Sequence, residues 1–203
     1  MKKLYLLLGT VTIATLVGSC MLATGTAAAA DGLSCPTSHA ALRLALKAAV
    51  GKYKTNNMWA VVVNHDGVVC AVAFSGRGLN DQWLLSRQVA AAKAFTTNGL
   101  STTPATALTT ADLDPLVQPT KDGGTLFGLA AGNPVDPAKA YKGPQSNWGQ
   151  SNDPMVGQIV GGTITFGGGS PISKKGAVVG GVGVSGDTAA NDQLVSDAVA
   201  AAI

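Results

Sequence analysis

Residues 58–74 read Met58-Trp59-Ala60-Val61-Val62-Val63-Asn64-His65-Asp66-Gly67-Val68-Val69-Cys70-Ala71-Val72-Ala73-Phe74. Two apolar, β-branched runs, Met58–Asn64 and Val68–Phe74, flank His65-Asp66-Gly67. Asp-Gly between two strand-like runs signals a hairpin. Neither run alternates with polar residues, so the sheet that they begin is expected to be covered on both faces. On the N-terminal side, Ser34-Cys35-Pro36-Thr37-Ser38 reads as a helix start, with cap residues around an early proline. The helix is predicted to run to about Lys54. Its polar residues His39, Arg43 and Lys47 recur every four positions and form one face, while alanines and leucines pack inward.

On the C-terminal side, a second helix is predicted from Asn80 or Asp81 to about Asn98, with Trp83, Leu84, Leu85, Val89, Ala92 and Phe95 on its buried side. Residues 101–158 hold seven of the nine prolines and show little periodicity. A short helix near Thr110–Val117 and a strand-like piece near Thr125–Ala130 are expected there. Phe127, Tyr141 and Trp148 argue for an ordered arm, lying on this domain or on a neighbouring subunit. The last third is glycine-rich. Ile159–Phe166 and Ala177–Val184 read as strands, with Gly167-Gly168-Gly169-Ser170-Pro171 turning between them. Asp187 caps a final helix to about Ala202. The order α-β-β-α-arm-β-β-β-α predicts an antiparallel sheet in an α+β domain.

Residues 1–30 stand apart. Lys2 and Lys3 precede a thirteen-residue apolar run, Leu4–Leu16, and Ala27–Ala30 offer small residues for cleavage, the pattern of a secretory signal peptide. The expectation is a leader over 1–30 and one domain over 31–203, exported to a periplasmic or extracellular space. Val17-Gly18-Ser19-Cys20 loosely resembles a lipobox, so membrane attachment through a lipidated Cys20 is the alternative. Cys35 and Cys70 then form a disulfide in an oxidising compartment, or remain two buried thiols.

Composition excludes several kinds of chemistry. All eleven acidic residues are aspartates and the chain has no glutamate. Without glutamate an HExxH zinc site is impossible, and two histidines, His39 and His65, cannot make an all-histidine three-ligand site. The formal charge of +3 falls to about +1 without the leader lysines, and no basic block supports a nucleic-acid partner. Gly181-Val182-Gly183-Val184-Ser185-Gly186 matches GxGxxG, but the chain ends after the following helix, so no βαβ unit completes a dinucleotide site. Glycines there are read as allowing close helix–sheet packing. Ser185 lacks a GxSxG context. His65 is expected to be solvated at its turn. His39 is the more informative: an imidazole that can ligate a metal, one and two turns ahead of cations able to hold carboxylates.

Several of these segments carry a resemblance. Asn64–Val69, the helix Ser86–Phe95 with Ala90-Ala91-Ala92-Lys93-Ala94-Phe95, and the string Gly176–Asp187 are similar to the GlcG/HbpS haem-binding-protein-like family, related to the C-terminal domain of PduO. Gly132–Asp136 and Asp153–Gly157 look like an insertion in an exported branch. The resemblance implies a profilin-like α-β-α domain with a five-stranded antiparallel sheet, a homo-oligomer, and haem or another tetrapyrrole as ligand. It also implies a sensor-protein partner. A helix-one histidine ligates iron in the PduO-like branch, which points to His39 as the metal ligand, with Arg43 and Lys47 as cofactor-binding cations. Together these predict an exported haem-binding or haem-sensing module without catalytic turnover. A self-assembling structural protein is the second reading. A small-molecule enzyme using Lys93, Asp187 and Arg77 at an interface pocket is the third.

Overall fold

The computed structural model describes residues 34–119 and 124–203. The leader and Cys20 lie outside the described residues. Ser38 caps the first helix, α1 (His39–Tyr53), its hydroxyl accepting the Ala41 N–H at 3.2 Å, and Lys54 closes it in the left-handed region at φ 54°. The hairpin follows as β1 (Trp59–Asn64) and β2 (Val69–Phe74). Gly67 makes the turn at φ 79°, and the Asn64 side chain accepts the Val68 N–H at 3.0 Å. Helix α2 (Leu85–Leu100) comes next, then three one-turn helices in the arm: α3 (Asp114–Val117), α4 (Leu129–Gly132) and α5 (Pro137–Ala140). The chain ends with β3 (Gly169–Lys174), β4 (Ala177–Ser185) and α6 (Ala189–Ala202).

The antiparallel sheet has the order β2-β1-β4-β3. Burial on β1 explains the unbroken apolar run. Met58, Ala60 and Val62 enter a core with α1 and α6, whereas Trp59, Val61 and Val63 enter a second core with α2 and the arm. Successive side chains alternate faces, and both faces are covered. The result is three layers, α-β-α, as the resemblance implies. The GxGxxG string is β4 itself. A Cβ at Gly183 would press on the Ala90 carbonyl and Ala94 amide of α2, so glycine lets helix backbone lie directly on strand backbone.

Several expectations fail. The sheet has four strands among the described residues, not five. Ile159–Phe166 has a strand's composition, but Gly161 and Gly162 take positive φ (68° and 89°), and only an isolated bridge, Val135 to Gly161, forms there. Gly167–Pro171 is not the turn between strands: β3 already begins at Gly169, and the reversal falls at Lys175-Gly176, both at positive φ. Residues 125–130 form turns and the start of α4 rather than a strand piece. Trp83, Leu84 and Leu85 precede α2's buried side and stay about half exposed. The helix starts five residues later than Asn80, after a 3-10 turn at Leu79–Asp81, so the apolar face begins at Ala90.

The arm closes both ends of the sheet. Gly157 and Gln158 exchange backbone hydrogen bonds with Val69 on the β2 edge, each 2.8 Å, and Thr110 bonds Gly169 on the β3 edge. Paired edges leave fewer open backbone groups for other chains. Cys35 and Cys70 form a disulfide that ties the segment ahead of α1 to β2 across 35 residues of sequence. Constraints on loops of that length are generally worth a few kcal/mol. No described helix is long and apolar enough to cross a membrane.

Candidate functional site

The polar face of α1 adjoins two cavities. The first, about 460 Å³, lies between α1 and the arm and is lined by Arg43, Lys47, Phe74, Arg77, Leu79 and Trp148, together with Gly149, Gln145 and Gln150. The second, about 360 Å³, is bounded by His39, Arg43, Leu44 and Lys47. The three residues singled out on helical spacing therefore border adjoining space, with Arg43 and Lys47 lining both cavities. Arg77, from the loop after β2, brings a third cation to the first. Aromatic walls and cations in one cleft suit a flat apolar ligand with anionic substituents.

Arg43 carries the clearest sign of an unmet partner. Its Nε is buried and has no hydrogen-bond acceptor. A buried donor left unpaired costs free energy, and Arg43 is also a residue of the cleft lining. His39 is half-buried and already engaged: its Nε2 donates to the Gly149 carbonyl at 3.0 Å. A carbonyl has no proton to give, so Nε2 holds the hydrogen and Nδ1 keeps the lone pair in the neutral ring.

Behind the cleft is a group that sequence reading missed. Arg87 on α2 is fully buried and makes a two-pronged pair with Asp153 of the arm, both contacts 2.7 Å. Its Nε donates to the Ala140 carbonyl at 2.9 Å. The guanidinium lies between Trp59 and Trp148, 5.1 and 4.8 Å from the ring centroids. Arg87 is the one charge between Asp81 and Lys93 in the sequence, which is a signal. Asp153 lies 66 residues away, and nothing local announced it.

The remaining candidates are placed as follows. His65 is exposed at the hairpin turn. Lys93 is wholly buried and donates to Asp192 at 2.7 Å and to the Val184 carbonyl at 3.1 Å. Burial pushes the Lys93 ammonium below its ordinary range and the Asp192 carboxyl above its own, while their pairing opposes both. Asp192 also accepts the backbone N–H groups of Gly186 and Asp187, so the pair ties α2, β4 and α6 together. Asp187 binds the Asn56 N–H at 2.9 Å, and that bond holds its carboxyl below the usual range. Arg77 lines the cleft, but Lys93 and Asp187 do not, so the three proposed for an enzyme are not brought together. Among the described residues, no group of three or more His, Cys or Asp side chains is arranged to hold a bare metal ion.

The family model described as haem degrading protein HbpS-like matches residues 33–201, and the chain belongs to that family. No curated protein matches it. Two solved structures share the fold. The PduOC:heme complex has a TM-score of 0.55 at 21% identity, covering 81% of this chain and 90% of that one. The Klebsiella pneumoniae protein ORFY has a TM-score of 0.54 at 21% identity, covering 82% and 89%.

Proposed function

We propose that this protein is an exported module that binds haem in the cleft between α1 and the arm, as carrier or sensor and without turnover. The observation that carries the reading is the buried, unpartnered Arg43 Nε, set beside Lys47, Arg77 and the Phe74 and Trp148 rings. The family to which the chain belongs and the haem complex of a protein with its fold support haem as the ligand. A bound haem would supply an iron centre that takes axial ligands and changes oxidation state. The chain's own residues do the rest. Arg43, Lys47 and Arg77 hold carboxylates by charge-assisted hydrogen bonds. Phe74, Trp148 and Leu79 exclude water. His39 offers Nδ1 as a ligand. The cleft's lining residues include three cations and no carboxylate, a charge balance that suits an anionic ligand.

Titration with hemin, read at the Soret band, tests this on the protein from residue 31. A saturable shift is expected in the wild type. Arg43→Met keeps the side chain's bulk and removes the orphan donor, so its affinity is expected to fall about 10- to 100-fold, the worth of one hydrogen bond to a charged group. No saturable shift in the wild type contradicts the proposal, and undiminished affinity in Arg43→Met removes the cleft as its location.

The protein is also proposed to work as a homo-oligomer. Trp83, Leu84 and Leu85 are consecutive, apolar and about half exposed, a patch of the kind that neighbouring subunits cover. Sedimentation velocity is expected to show a species larger than a monomer, shifting to smaller mass in Trp83→Ser/Leu84→Gln. A monomeric wild type sinks the oligomer.

A further inference from the structure

The His39 ring is connected to the buried ion pair through a single residue. Asp153 Oδ2 accepts the Gly149 N–H at 2.6 Å, while the Gly149 carbonyl accepts His39 Nε2–H at 3.0 Å. The same carboxylate takes both arms of Arg87 and, at 2.8 Å, the Met155 N–H. Gly149 has little freedom of its own. It sits at φ 76°, and a Cβ there would lie 2.9 Å from Phe74 Cβ and 3.2 Å from the Trp59 ring. The loop backbone is therefore wedged against the sheet on one side and anchored to Asp153 on the other. Its carbonyl faces α1.

We infer that Arg87 and Asp153 are positioning residues for His39: through Gly149 they fix the imidazole as the Nε2–H tautomer and keep Nδ1 as its free lone pair. Histidines that ligate metals commonly donate their other ring N–H to a backbone carbonyl or carboxylate, which sets tautomer and ring orientation. Here that carbonyl is held in turn by a buried, two-pronged ion pair whose arginine cannot lose its proton. The ion pair thus reaches the ring at Nε2–H through two hydrogen bonds, and through the tautomer it sets Nδ1. The use of Nδ1 toward iron rests on the haem reading; the tautomer itself does not.

The ¹⁵N spectrum of histidine-labelled protein, without hemin, reads this directly. The chain has two histidines, and exposed His65 serves as the internal reference for a freely averaging ring. Wild-type His39 is expected to show the separated nitrogen shifts of a single Nε2–H tautomer, and His39→Ala assigns the signal. Arg87→Met/Asp153→Leu replaces the pair with apolar side chains of similar size, and its His39 is expected to collapse to the averaged pattern of His65. Asp153→Asn, a milder change, is expected to move His39 part of the way. A wild-type His39 protonated on Nδ1 overturns the inference. So does a wild-type pattern in either variant that remains folded by circular dichroism. Because no hemin is present, failure here leaves the haem reading standing, and failure to bind hemin leaves the tautomer assignment standing.

Discussion

Asp153→Ala is expected to destabilise the domain by about 3–5 kcal/mol, the range found when one partner of a buried pair is removed. Arg87 would remain fully buried with two unmet N–H groups facing the former carboxylate. An arginine does not escape such a position by deprotonation. Gly149 and Met155 would lose the acceptor for their N–H groups in the same step. Against a typical total of about 5–15 kcal/mol, that places the variant near the edge of folding. Arg87→Met/Asp153→Leu is expected to recover the part due to the stranded guanidinium, because apolar replacements of similar volume spare the desolvation of both charges, and to keep the cost of the unpaired Gly149 and Met155 N–H groups. Urea denaturation of the two variants and the wild type checks the order. A single variant as stable as the wild type contradicts the account of this pair.

Asp192→Ala is expected to be the next largest loss, and its size depends on pH. Lys93, unlike Arg87, can give up its proton. Discharging a lysine from its ordinary value of 10.5 costs about 5 kcal/mol at about pH 7 but only about 1 kcal/mol at about pH 9.5, which caps the penalty at each pH. Burial already lowers the Lys93 pKa, and losing Asp192 removes the charge that opposed this. In the window between that lowered value and 10.5, the unfolded chain binds more protons than the folded one, so the variant's stability rises with pH. Chemical denaturation at about pH 7 and pH 9.5 reads the difference. A penalty that is flat or grows with pH means that Lys93 does not discharge in the variant.

Much of the fold is local and was legible. The hairpin boundaries differ from β1 and β2 by one residue at one end of each, because Asp66-Gly67 fixes the turn and the flanking runs have no competing structure. Helix α1 was set by Ser38 and by its inward alanines and leucines. Ile159–Phe166 misled because composition does not report backbone sign: two positive-φ glycines interrupt the run, and Thr163 N–H bonds Asn133 instead of a neighbouring strand. Trp83–Leu85 differ because apolar character beside a helix does not fix which side of it packs: the chain enters α2 through a 3-10 turn that leaves them outside.

The site divides along the same line. His39, Arg43 and Lys47 share a face by helical period, and the structure sets that face beside the cleft. Trp148, Gly149 and Gln150, which complete it, come from an aperiodic arm 110 residues from His39, and no pattern in sequence announces a contact at that separation. Arg77, Phe74 and Leu79 reach the cleft because β2 ends beside α1, a consequence of the sheet order. The Cys35–Cys70 bridge was one of two readings for those residues, and the structure contains it.

The central claim is that this cleft, with His39 on the adjoining cavity, is a haem site. Parallel hemin titrations of the wild type and His39→Ala, followed through the Soret band and the visible bands, test it most directly. The account predicts saturable binding near one hemin per chain in the wild type, and a changed ferric spectrum with weaker binding in His39→Ala. Identical spectra in the two proteins would remove His39 as the ligand. A wild-type titration that never saturates, with hemin behaving as it does in buffer, would contradict the claim itself.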